Sequence, residues 1–201
     1  DYELLSPIMA EAIEQTYDVF SRTQDPQTVD LILDRASYRQ LTSDLKEIDS
    51  PFLHELAEIV ADVTNIKMYI RARLINKAWD FISRLLVEGG TVGEKIYFEN
   101  SDKPVEAFVS ALQRSRYADA VKKGFELIES KKNVSELERL LDDYIMEYVR
   151  RAKMVVMGVE PLVAYLFAKE AEVRNARIIM TGKINGLPVD MIRERLRSVY
   201  V

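Results

Sequence analysis

Cysteine is missing from this 201-residue chain, and histidine occurs once, at His54. Without cysteine there is no disulfide and no thiolate metal site. A single imidazole cannot build a triad relay or a two-histidine metal site within the chain. Long apolar runs are lacking too: none approaches the ~18 residues of a membrane span, and no charged-then-apolar leader opens the sequence, so the chain reads as soluble. No convincing run of strand alternation is present either. A chain of this length buries roughly 70% of its unfolded surface, so a core can stabilise it without staples.

Charge of neither sign dominates: 28 basic residues face 33 acidic ones, a balance of −5 that argues against bulk nucleic-acid binding. The distribution is uneven. From Arg150 onward there are ten Lys/Arg against five Asp/Glu, which leaves 18 against 28 in the preceding residues. A basic end on an acidic body suits an acidic protein partner or a phosphate-rich membrane surface, with a solvated helix face as the competing explanation.

What is present is helical periodicity with punctuation. The six prolines each fall at or near the first turn of an expected helix, where a missing N–H is harmless. Ser6-Pro7, Asp25-Pro26 and Ser50-Pro51 place a capping acceptor before the proline, while Pro104, Pro161 and Pro188 have weaker caps. Further helices are expected near Arg116, where Tyr117 opens an apolar run, and at Ser135-Glu136-Leu137-Glu138, whose spacing predicts a capping box. Apolar residues return at helical spacing, as in Ile8, Ala12, Ile13, Tyr17 and Phe20 or Leu137, Leu140, Leu141, Ile145 and Val149. Gly89-Gly90, Gly158 and Gly186 are placed where helices should stop. The expected fold is all-α.

The chain also echoes itself. At an offset of 110, Pro51 matches Pro161, Leu56 matches Leu166, Ala61-Asp62-Val63 matches Ala171-Glu172-Val173, and Asn65 matches Asn175. Five of the 27 pairs between Ser50 and Asn76 are identical. At offset 108, Leu33-Asp34 meets Leu141-Asp142, Asp25 meets Asn133, Ala12 meets Ala120, and Tyr17 meets Phe125. The period is too long for the ~34 to 47 residues of common helical arrays, so it predicts a duplicated domain, with units at 1–98 and 99–201. The basic pairs Lys67/Arg177 and Arg73/Lys183 recur in register. Units assembled about an axis would let these four cations ring it; independent surface charges are the alternative.

Candidate chemistry is thin. Gly89-Gly90-Thr91-Val92-Gly93-Glu94-Lys95 gathers glycines and a lysine, yet it lacks phosphate-loop spacing and follows a helix. Glu55, Glu58 and Asp62 share a helix face, as di-metal carboxylates do, without the Glu-x-x-His partners, and read as a solvated acidic face. Trp79 with Phe81, and Tyr165 with Phe167, read as core aromatics. Asp62-x-x-Asn65 and Glu172-x-x-Asn175 read as an internal framework: an asparagine twice in mid-helix, against its propensity, suggests a half-buried amide bonded to a neighbouring helix.

The C-terminal residues carry a resemblance. Glu160 to Glu170 (EPLVAYLFAKE), Glu172 to Lys183 (EVRNARIIMTGK), Asn185-Gly186-Leu187-Pro188 and Ile192 to Leu196 (IRERL) closely resemble the ending of the C subunit of archaeal and bacterial A/V-type rotary ATPases. Its eukaryotic counterpart is the d subunit of the vacuolar ATPase. Leu33 to Tyr38 (LDRASY), Asp62 to Ile66 (DVTNI) and Arg71-Ala72-Arg73 look like the preceding copy of the same unit. Members of that family are similar all-helical funnels of three related domains, so the resemblance implies the last two with the first missing. The abrupt Asp1-Tyr2-Glu3 opening agrees with a fragment.

The resemblance further implies a non-catalytic central-stalk subunit, peripheral on the cytoplasmic face of the membrane and without a cofactor. Such a subunit sits between the central shaft subunits of the soluble head and the membrane rotor ring subunits, coupling ATP turnover to ion movement. No contact residue carries over from a motif, so Lys67, Arg73, Arg177 and Lys183 are candidates by inference from the repeat. Two other classes stay open: a generic helical adaptor for an acidic protein or membrane surface, and a helical enzyme using carboxylates.

Overall fold

The structure is a computed structural model and describes residues 5 to 131 and 133 to 200, so the Asp1-Tyr2-Glu3 opening lies outside the described residues. Every regular element among them is helical, as the periodicity predicts. The chain divides into two compact units, Asp1–Val105 and Glu106–Val201.

In the first unit α1 (Pro7–Thr23) and α2 (Pro26–Leu45) form a hairpin, followed by the long α3 (Pro51–Leu74), then α4 (Trp79–Leu85) and α5 (Glu94–Glu99). Three caps form as expected: Ser6 Oγ accepts from Met9 N at 3.2 Å, Asp25 Oδ1 from Gln27 N at 3.0 Å and Ser50 Oγ from Leu53 N at 3.4 Å. The core lies along α3, where Leu53, Leu56, Ile59, Val63, Ile66, Tyr69 and Ile70 are buried. The Tyr38 hydroxyl meets Thr64 Oγ1 at 2.9 Å and ties α2 to α3. The apolar stripe of α1 is less covered than its periodicity suggests: Tyr17 and Phe20 are exposed and line an open apolar groove with Val29 and Leu33.

Short α6 (Val105–Ala111) straddles the division and leads into the second unit, which holds α7 (Ala118–Lys131), α8 (Ser135–Val149), α9 (Glu160–Ile184) and α10 (Val189–Glu194). Its core is Leu112, Tyr117, Val121, Phe125, Leu137, Leu141, Val149, Ala164 and Ile192. The capping box at Ser135 does not form: Ser135 is already the first helical residue, and its N–H is taken by Asn133 Oδ1 at 3.0 Å. An acceptor two residues upstream starts the helix before the Ser-x-x-Glu pattern can act. Asp25 and Asn133, aligned in the repeat, thus perform the same task. Gly158 departs from expectation too, preceding the start of α9 instead of ending a helix.

The two long helices end alike. α3 closes with Asn76 at φ 55° and Lys77 N donating to Ala72 O at 2.9 Å. α9 closes with Gly186 at φ 66° and Leu187 N donating to Gly182 O at 2.9 Å. These are left-handed caps of the Schellman type, which need a residue tolerant of positive φ. They fall 110 residues apart, like the asparagines.

Those asparagines are the centre of each unit. Asn65 Nδ2 donates to Val87 O at 2.9 Å, and Val87 N donates to Asn65 Oδ1 at 2.8 Å. Asn175 does the same with Arg197, at 3.0 and 2.9 Å. The expected amide bond is present, but its partner is the non-helical backbone after the following short helix, not a helix. A primary amide carries one donor and one acceptor on the same side, as a peptide does, so it can hold a chain segment that no strand pairs.

Removing it leaves a backbone N–H and C=O without partners at a site buried in the first unit and half-buried in the second. Asn65→Ala should therefore cost about 2–4 kcal/mol and Asn175→Ala about half of that, read from urea denaturation monitored by circular dichroism.

Candidate functional site

The four cations picked out by the repeat do not share one environment. Lys67 and Arg73 lie half-buried on α3, and Arg73 donates to the Lys103 carbonyl at 2.6 Å. Arg177 and Lys183 stand exposed on α9. On each helix the two residues are about 9 Å apart along the axis and sit on opposite flanks of one apolar stripe, since six residues turn about 600°. The stripe is a feature that the sequence pattern alone does not single out.

On α9 that stripe is Leu162, Leu166, Val173, Met180 and Ile184, spaced by four or seven residues, with Lys169 and Ala176 at the intervening positions. The positions 110 residues earlier belong to α3. Leu56, Val63 and Ile70 there are 4, 1 and 0% exposed, whereas Leu166, Val173 and Met180 are 55, 58 and 63% exposed. The opposite face of α9 carries Ala164, Asn175 and Gly182, turned toward its own unit. A helix apolar on both faces ordinarily lies between two partners. The exposed apolar surface continues N-terminally through Met154, Val156, Met157 and Val159, beside Arg150, Arg151 and Lys153. In the first unit the corresponding turn carries Asp44, Glu47 and Asp49 at the places of Met154, Met157 and Val159.

This exposure corrects one expectation. Tyr165 is not a core aromatic but stands on the outer side of α9, and Trp79, Phe81 and Phe167 are half-buried. Trp79 packs edge-on against Phe98 at 5.3 Å, and Lys77 lies 4.9 Å over the Phe81 ring.

The acidic framework divides likewise. Asp62 is buried, and its carboxylate accepts from Thr91 Oγ1 at 2.7 Å and Val92 N at 2.9 Å. A Cβ at Gly90 would collide with Asp62 Oδ1, so only glycine lets the loop close over the carboxylate. The anion held by the glycine-rich loop is thus the protein's own, and Lys95 pairs with Glu99 on the surface at 3.6 Å. Glu172, aligned with Asp62, is exposed instead and bonds Lys169 at 2.8 Å, holding that ammonium above its ordinary pKa. It is no part of an internal framework. In its unit the half-buried anchors are Asp142, which receives Arg174 at 3.1 Å and Arg197 Nε at 2.8 Å, and Asp143, which receives Ser198 N at 2.7 Å.

His54 Nε2 lies 2.6 Å from the Leu45 carbonyl and serves the C-terminus of α2. A carbonyl can only accept, so Nε2 carries the proton. Among the described residues no group of three or more His, Asp or Glu side chains is arranged to hold a metal ion, and no helix is long and apolar enough to cross a membrane.

The sequence profile described as "ATP synthase (C/AC39) subunit" matches residues 2–195. The chain belongs to that family. Similar proteins include the C subunit of the V-type sodium ATPase of Enterococcus hirae, 26% identical over 194 residues that cover 96% of this chain and 58% of that protein. The C subunit of the A-type ATP synthase of Haloferax volcanii is 27% identical over 195 residues, covering 96% and 56%. That of Pyrococcus abyssi is 29% identical over 143 residues, covering 70% and 38%. The chain thus spans at most a little over half the length of these relatives.

One titration follows from the first-unit core. The rings of Tyr69 and Tyr97 pack 5.3 Å apart beside α3. Burial raises the Tyr69 phenol to about 12, with Arg73 opposing and Asp102 adding. Burial, reinforced by Asp62 and Tyr69, pushes Tyr97 up as well. Unfolded tyrosines release their protons near 10.0, before the folded ones do. The stability these phenols contribute is therefore complete below pH 10 and lost as pH rises through about 12. Thermal unfolding between pH 9 and 12 should show this loss, and a Tyr69→Phe/Tyr97→Phe chain should lose less over the same range.

Proposed function

We propose that this chain is part of a non-catalytic central-stalk coupling subunit of a V/A-type rotary ATPase. It links the rotor shaft of the soluble head to the membrane rotor ring, lying peripherally on the cytoplasmic face. In this reading it transmits torque between moving parts and turns over no substrate of its own. Family membership across residues 2–195 carries the proposal. The names of the relatives support it, covering a sodium ATPase in one organism and ATP synthases in others.

A torque adapter of this kind needs stiff elements and surfaces complementary to two partners. Helices of 24 and 25 residues, each fastened at mid-length by an asparagine, meet the first need. The basic positions serve the second. Arg177 and Lys183, being exposed, are the stronger contact candidates; Lys67 and Arg73 contribute from a half-buried helix. The 1–98 and 99–201 units are, in this reading, two repeats of one ancestral domain.

A second reading, a helical adaptor for an anionic membrane surface, rests on the turn from Arg150 to Val159. There, exposed methionines and valines adjoin three cations, the composition of an interfacial contact.

Both readings meet the same test. Immobilised chain is offered purified shaft subunits, purified ring, and vesicles with and without anionic lipid, at 50 and 300 mM salt. Retention of shaft or ring, weakened by salt and by neutralising Lys67, Arg73, Arg177 and Lys183 together to Gln, is the expected result. Retention by vesicles alone would favour the adaptor. Binding insensitive both to salt and to the quadruple substitution would overturn the assignment of the four cations.

A further inference from the structure

The outward face of α9 is a surface of a particular kind. Its apolar residues recur in a heptad-like pattern over about 33 Å, from Leu162 to Ile184, at 1.5 Å per residue. That spacing matches the seam one helix offers another, with side chains separated by three and four positions. Lipid or a loosely held loop requires no such register. The chain supplies its own internal comparison, because the central positions of the same stripe on α3, Leu56, Val63 and Ile70, are closed to solvent to the degree of a protein core, while its end positions Phe52 and Leu74 are half-buried and exposed.

Charge narrows the partner further. Beside the C-terminal half of the seam stand Arg177 on one flank and Lys183 on the other, and from Val173 to Ile184 there is no acidic residue. Arg174 in the same stretch is already held by Asp142. The N-terminal half is mixed, with Lys169, Glu170 and Glu172.

We infer that α9 is a docking helix for an amphipathic partner helix. The partner presents an apolar seam and carries acidic side chains beside the end that meets Arg177 and Lys183. Flanking charges of this sort choose partner and orientation, while the seam supplies adhesion. The inference stands on the exposure and register of α9 and does not depend on which protein supplies the partner.

The test uses the whole 201-residue chain and two synthetic fluorescein-labelled helical peptides. Each peptide has a leucine seam of about three heptads; one is flanked at one end by glutamates, the other by lysines. Fluorescence anisotropy should give at least about tenfold tighter binding of the glutamate peptide, with the gap closing at high salt. Val173→Glu and Met180→Glu replace exposed residues and should leave the melting temperature unchanged while weakening both peptides about tenfold or more. Arg177→Glu with Lys183→Glu should invert the preference between the peptides, a result that general loss of folding cannot produce. Equal affinity for the two peptides, or full binding to the Val173→Glu chain, would overturn the inference. So would sedimentation showing that the chain pairs with a second copy and that Val173→Glu abolishes the pairing, because the seam would then serve self-association.

Discussion

Both units hang on one interaction, a side-chain amide that acts as a stretch of backbone. Asn65 and Asn175 each offer a donor and an acceptor to the backbone of the residue 22 positions further on, and no strand lies among the described elements to pair that segment. A buried extended segment with unpaired N–H and C=O groups is strongly disfavoured. The clamp removes that difficulty and draws the chain leaving α4 or α10 back against the middle of the long helix. With the segment fixed, Asp62 can gather Thr91 and Val92, and Asp142 can gather Arg197. The clamp thus sets the path of the returning chain in each unit, while the helix caps form locally.

The two units then use a common frame for different ends. In the first, the middle of the long helix is enclosed, Leu56, Val63 and Ile70 being dry, and Tyr69 and Tyr97 are buried deeply enough to resist ionisation. In the second, the same stripe faces outward, and the acidic turn before it is replaced by methionine and valine beside arginine and lysine. The asparagine clamp and the left-handed helix end recur in both units, while the residues around them differ. The place of Asp62 is taken by Glu172, which stands at the surface because no loop closes over it among the described residues.

Much of this was legible in the residues themselves. Proline after serine or aspartate marked the helix starts, since the capping acceptor and the fixed φ act locally. The asparagine pair was visible as an anomaly of propensity, though its partner was not, being 22 residues away and non-helical. The Ser135 box misled because a competing acceptor stood two residues upstream, and local patterns carry no ranking among caps. Tyr165 misled because a helix apolar on both sides reads as core whether or not its second side is covered.

By itself the sequence determined the helical class, the helix starts, the repeat at 110 residues and the family, since each is written in short-range spacing or in matched residues. Tertiary structure decided which apolar residues are core and which are surface, and which of four equivalent cations face outward. Periodicity fixes only the side of a helix on which a residue lies. Whether that side meets protein or water depends on elements far away in the chain, and so the same pattern gives a closed helix at α3 and an open one at α9.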